Sequence, residues 1–154
     1  MLSRLAFALA ALSLFSACSG ESTAPGPSGP CSDATLAPDE YVAGLTRAGK
    51  NGTVGVKLLD ALPAPPAAGS NEWEVQLIDA SNGPLPNAII TKVRLWMPSH
   101  GHGSGVTPTV TPGENGKATI KALEFVMPGV WTVTVSAQNE EATDEATFAF
   151  CIDG

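Results

Sequence analysis

Apart from Met1, every histidine and methionine of this chain lies in two short segments. The first reads Trp96-Met97-Pro98-Ser99-His100-Gly101-His102-Gly103-Ser104-Gly105, and the second Phe125-Val126-Met127-Pro128-Gly129. The imidazoles of His100 and His102 and the thioethers of Met97 and Met127 form a soft N2S2 donor set. Such a set suits Cu(I), with Cu(II) accessible through the histidines. An imidazole must be neutral to coordinate, so affinity through it falls as pH drops below about 6.5. Gly101 and Gly103 would let the backbone fold closely around an ion. Zn(II) on the two histidines with Glu124 or another carboxylate is the lesser metal alternative, since zinc takes imidazole and carboxylate rather than thioether. A blue-copper centre needs a Cys thiolate, and neither segment has a Cys. The same residues also read as an exposed turn and a core plug, which would leave a non-metal interaction module at this end of the fold.

Enzyme readings fail on pattern. Ser104 lacks the glycines two positions to either side that a nucleophile elbow needs. A phosphate cradle opens a helix, whereas Gly101–Gly105 runs into strand-like Val106-Thr107-Pro108. Ser99, His100 and Glu124 could be imagined as a triad, but no spacing specifies one. The protein is therefore expected not to be an enzyme.

Both segments need a scaffold, and composition restricts its kind. The 154 residues include 16 glycines and 13 prolines, and every proline lies after residue 24. An interior proline costs a helix about 3 kcal/mol, so a helix bundle is excluded. From residue 53 onward apolar residues recur at every second position, the mark of half-buried strands. Val54, Val56 and Leu58 form one such series, and Trp73, Val75 and Leu77 a second. Val93, Leu95 and Met97 follow, with Trp96 breaking the polar face. Trp131, Val133 and Val135 give the cleanest alternation, and Ala146, Phe148, Phe150 and Ile152 close the chain. Shorter strands fit at 106–111 and 117–125.

Turn residues at 81–84, 112–116 and 139–141 separate these runs. The predicted fold is all-β, an immunoglobulin-like antiparallel β-sandwich of about seven strands. A short helical or irregular stretch is expected over 38–48. Glu140, Glu141, Asp144 and Glu145 read as a solvated turn and strand edge. Strand parity puts the loops at 98–105 and 126–129 at the same end of the sandwich, where the four donors could meet.

The N-terminus carries an address. Arg4 precedes an eleven-residue apolar run, Leu5–Phe15, too short for a membrane span of about 20 residues. The run ends in Phe15-Ser16-Ala17-Cys18, which resembles a bacterial lipobox, so Cys18 is the expected lipidation site. Ordinary secretion with cleavage after Ser22-Thr23-Ala24 is the alternative, though Pro25 disfavours it. The expected organisation is a signal peptide over 1–17, lipidated Cys18 with a Gly/Ser/Pro tether to residue 30, and one domain over 31–154. Export leaves Cys31 and Cys151 for a disulfide or as two unpaired thiols, the former favoured by an oxidising compartment. Such a bridge would pin the N-terminal segment across the last strand and protect that edge.

The net charge of −7 excludes nucleic acid, which calls for clustered Lys and Arg. The expected setting is a bacterial cell envelope, periplasm or outer membrane. The chain would be held to the membrane by its lipid, with a metal acceptor or an envelope protein as partner. Asn51-Gly52-Thr53 matches a glycosylation sequon, taken as coincidence in a chain of this bacterial type.

The stretch from about Glu72 to Phe150 resembles the YtkA-like family, related to FixH-type proteins. The residues that carry it are Met97-Pro98-Ser99-His100-Gly101-His102-Gly103, the Asn115-Gly116 turn, and Phe125-Val126-Met127-Pro128-Gly129-Val130-Trp131-Thr132-Val133. The resemblance implies an extracytoplasmic β-sandwich, often on a membrane anchor and sometimes linked to copper handling. FixH-type members carry a transmembrane helix where this sequence has a lipobox.

Overall fold

The structure is a computed structural model that describes residues 29–32, 36–140 and 142–154. The proposed signal peptide, Cys18 and nearly all of the tether lie outside the described residues. Eight strands follow one another: β1 (Leu45–Arg47), β2 (Gly55–Leu62), β3 (Gly69–Ile78), β4 (Ile89–Trp96), β5 (Thr109–Pro112), β6 (Lys117–Phe125), β7 (Gly129–Gln138) and β8 (Thr143–Ile152). They form a five-stranded sheet in the order β1-β2-β3-β6-β5 and a three-stranded sheet in the order β4-β7-β8, with every pairing antiparallel. Without β1, the order is that of a constant-type immunoglobulin domain, ABED facing CFG. The eighth strand is the short β1, which lengthens the larger sheet beyond the seven expected.

The period-two series build the core. Val56 and Leu58 of β2, Trp73, Val75 and Leu77 of β3, Val93 and Leu95 of β4, and Trp131, Val133 and Val135 of β7 are buried between the sheets. Phe148 and Phe150 of β8 meet Trp73 edge-on from the opposite sheet, at centroid distances of 5.7 and 5.5 Å. Trp96, the exception on the outer face of β4, is half-buried under the Arg94 guanidinium 5.4 Å above its ring. The Asn115-Gly116 dipeptide makes the β5–β6 hairpin. Both residues have positive φ (55° and 74°), and Lys117 N–H donates to the Glu114 carbonyl at 3.1 Å. That is the type I′ geometry which asparagine and glycine favour.

Three expectations change. The first of the two shorter strands is expected over 106–111, but β5 starts only at Thr109. Ser104 Oγ bonds the N–H and carbonyl of Val106, and Pro108 has no N–H for a ladder. The stretch 38–48, expected as helical or irregular, is irregular as far as Gly44 and then adds the strand β1, with Gly44 N–H donating to the Leu58 carbonyl at 2.6 Å. Asp144, expected in solvent, is only 3% exposed. Its carboxylate accepts from the N–H groups of Asn51, Thr53, Val54 and Glu145 and from Thr53 Oγ1, all within 3.2 Å. Burial alone would raise its pKa, but those N–H donors outweigh burial and hold the carboxyl well below the usual range.

Cys31 and Cys151 form a disulfide with their Cα atoms 5.5 Å apart. The N-terminal segment lies along the outer edge of β8, as the edge-protection reading expects. Asp39 N–H donates to the Ala149 carbonyl at 2.6 Å, Ala149 N–H returns a bond to the Asp39 carboxylate at 2.9 Å, and Lys50 N–H donates to the Glu145 carbonyl. Arg47 pairs with the same Asp39 carboxylate. Among the described residues no helix is long and apolar enough to cross a membrane.

Candidate metal site at the Met-Pro end of the sandwich

β4 ends at Trp96, and the chain reverses within six residues. Met97 N–H donates to the His102 carbonyl at 2.8 Å, while the Met97 carbonyl accepts from His100 N–H at 3.3 Å and Gly101 N–H at 2.8 Å. Closing this turn requires Gly101 at φ +68°, a conformation costly for residues with a Cβ. The turn sets His100, exposed, beside His102, half-buried, with ring centroids 5.8 Å apart and planes at 86°. A metal about 2 Å from a nitrogen of each ring would sit about 3.2 Å from each centroid, so centroids about 5–6.5 Å apart can share one ion.

His102 is the better fixed of the two. Its Nδ1 lies 2.9 Å from the Gly103 carbonyl oxygen, which can only accept. Neutral His102 therefore carries its proton on Nδ1 and leaves the Nε2 lone pair free for a metal. The ring also lies 5.8 Å from Trp131, edge-on. Trp131 donates from Nε1 to the Met127 carbonyl at 2.9 Å. One buried indole thus ties the 126–129 loop to the histidine turn, as strand parity predicted. Thr132 adds a second tie by donating from Oγ1 to the Trp96 carbonyl at 3.0 Å.

The methionines play different parts. Met97 is 2% exposed and belongs to the core, its methyl lying over Gly129 where a Cβ would collide with it. It also forms the floor of an open cleft of about 630 Å³ lined by Pro30, Ser32, Met97, Pro98, Ser99, His100 and Pro128. Met127 packs half-buried against the core and is not among the residues lining that cleft. Met97 and the histidine turn are brought together, and Met127 joins them through its backbone. Glu124 does not group with the histidines: among the described residues the one close set of three His, Cys, Asp or Glu donors is Cys31, Cys151 and Asp153. As a disulfide, that pair offers no thiolate.

Trp131 and Gly129 are read from the sequence as strand and family-motif residues rather than as parts of the site, and Pro30 and Ser32 as tether and domain start. The first two could have been placed in the site, because they lie four and two residues after Met127. Nothing local in the sequence signals that Pro30 and Ser32 flank the cleft; only the disulfide carries them there.

The fold and this end define an immunoglobulin-like sandwich with a His-x-His turn beside a Met-Pro loop. Residues 52–136 match the family model described as YtkA-like, a span that includes both loops, and the chain belongs to that family. No curated protein and no solved structure matches it.

Proposed function

We propose that this protein is a lipid-anchored protein of the bacterial cell envelope that binds or delivers copper. His100 and His102 are the nitrogen ligands, and Met97 and Met127 supply thioether sulfur. The observation that carries the reading is the contact of His102 Nδ1 with the Gly103 carbonyl. It leaves the Nε2 lone pair unused, on a ring 5.8 Å centroid to centroid from a second imidazole on the same turn. Neutral imidazole and thioether leave the charge of Cu(I) unopposed, which suits transient holding and hand-over better than permanent storage.

Met97 needs only a small shift of its flexible chain to present sulfur to the cleft it already lines. Met127 would need a larger one. The chain enters the domain at the cleft wall, and Cys18 lies twelve residues before Pro30. A lipid on Cys18 would therefore keep the site near the membrane, where a membrane-embedded metal acceptor could meet it.

X-ray absorption of the Cu(I)-loaded protein tests the ligand set. Two nitrogen neighbours and at least one sulfur are expected. A shell without sulfur would remove both methionines from the site. Replacing Cys18 with Ser should release the protein from the membrane fraction; unchanged fractionation would contradict the lipid anchor.

A further inference from the structure

The Cys31–Cys151 pair sits on the outer side of β8, half-exposed, where a reductant and an ion can reach it. Asp153 lies beside it, with Oδ1 3.6 Å from Cys151 Sγ. One sulfur from each cysteine and a carboxylate oxygen of Asp153 all lie within 4.8 Å of one another. We propose that reduction turns this disulfide into a second metal site, in which the Cys31 and Cys151 thiolates and the Asp153 carboxylate hold Zn(II).

The geometry needs little change. Zinc–thiolate bonds of about 2.3 Å in a tetrahedral site put the sulfurs about 3.7 Å apart. Cα atoms 5.5 Å apart allow that by side-chain rotation. Three protein ligands then leave the fourth zinc position open.

Charge selects the ion. Two thiolates and a carboxylate carry three negative charges, which a divalent borderline-soft ion balances better than Cu(I) does. The neutral donors at the histidine turn have the opposite preference, so the two sites would sort two metals at one end of the domain.

The redox step balances with an exported dithiol as reductant. Its two thiols close into their own disulfide, and the two electrons break the Cys31–Cys151 bond. The two protons give a pair of thiols, which Zn(II) displaces on binding. The oxidised protein has no thiolate to offer, so the site exists only after reduction. The inference does not depend on copper at the histidine turn.

The test uses the protein carrying Cys18→Ser, His100→Ala and His102→Ala, which removes the third thiol and both imidazoles. Zn(II) is titrated against a chromophoric chelator, first into the oxidised protein and then into protein reduced and freed of reductant under nitrogen. The expected result is one Zn(II) bound at least 100-fold more tightly after reduction, lost with Cys151→Ser and weakened by Asp153→Asn. Reduced protein that binds no tighter than oxidised protein would overturn the proposal. So would loss of the β-sheet circular dichroism on reduction, because binding by an unfolded dithiol needs no site.

Discussion

Gly129 has φ +136° and packs its Cα against the Met97 methyl, so a side chain there is refused twice. Gly129→Ala should cost about 1–3 kcal/mol in chemical denaturation, as overpacked cores do, and should displace Met97 from the cleft floor. Met97→Leu, nearly volume-conserving, should cost less than about 1.5 kcal/mol while still weakening Cu(I) binding, since only the sulfur is lost. Equal affinity for Cu(I) in the Met97→Leu protein would remove that thioether from the ligand set. At this scale the sequence was informative about the donors and about the depth of one of them. Two histidines one residue apart beside a methionine were visible at once. That Met97 continues the inward series of Val93 and Leu95, and so serves core and cleft together, was legible from parity. The half-buried packing of Met127 depends on where its loop turns, which parity does not reach.

Asp144 shows how an element is fixed by one side chain. It stands in phase with Ala146, Phe148 and Phe150, so strand alternation already pointed it inward; only its charge argued for solvent. The N–H groups of Asn51, Thr53 and Val54 make the 51–54 loop a cradle around it that docks β2 onto the start of β8. Its folded pKa is depressed, so its contribution to stability is complete above the unfolded value of about 3.9 and is lost as pH falls toward the folded value. The midpoint of urea denaturation should therefore decline below about pH 4 in the native protein and decline less in Asp144→Asn. At neutral pH that variant should be less stable by about 2–4 kcal/mol, given the usual worth of bonds to a charged acceptor. Ala122 is a smaller strain in β6, at φ +58° opposite the irregular register between Asn71 and Trp73. Ala122→Gly should stabilise by up to about 1 kcal/mol, read as a raised midpoint. Nothing in the sequence marked that bulge, because alanine gives no turn signal.

The molecule as a whole is an immunoglobulin-like sandwich with one closed edge. Cys31, Asp39 and Lys50 seal β8 with a disulfide spanning 120 residues, backbone bonds and the Asp39 carboxylate. Loop-closure entropy values that span at about 4–5 kcal/mol as an upper bound. Reduction should accordingly lower the thermal midpoint without abolishing cooperative unfolding, since neither sheet depends on the bridge; a midpoint unchanged by reduction would make the bridge ornamental. Architecture was readable from the sequence because alternation and turn residues act locally. The short β1 and the cleft wall were not, since three residues are too few to show a period of two and the wall is held by a disulfide to the far end of the chain. The central claim is that the histidine turn binds copper. Titration of the purified protein with Cu(I) against a competing chelator tests it most directly, with His100→Ala/His102→Ala alongside. One tightly bound Cu(I), lost in the double variant, is the predicted result; equal binding by both proteins, or by neither, would contradict it.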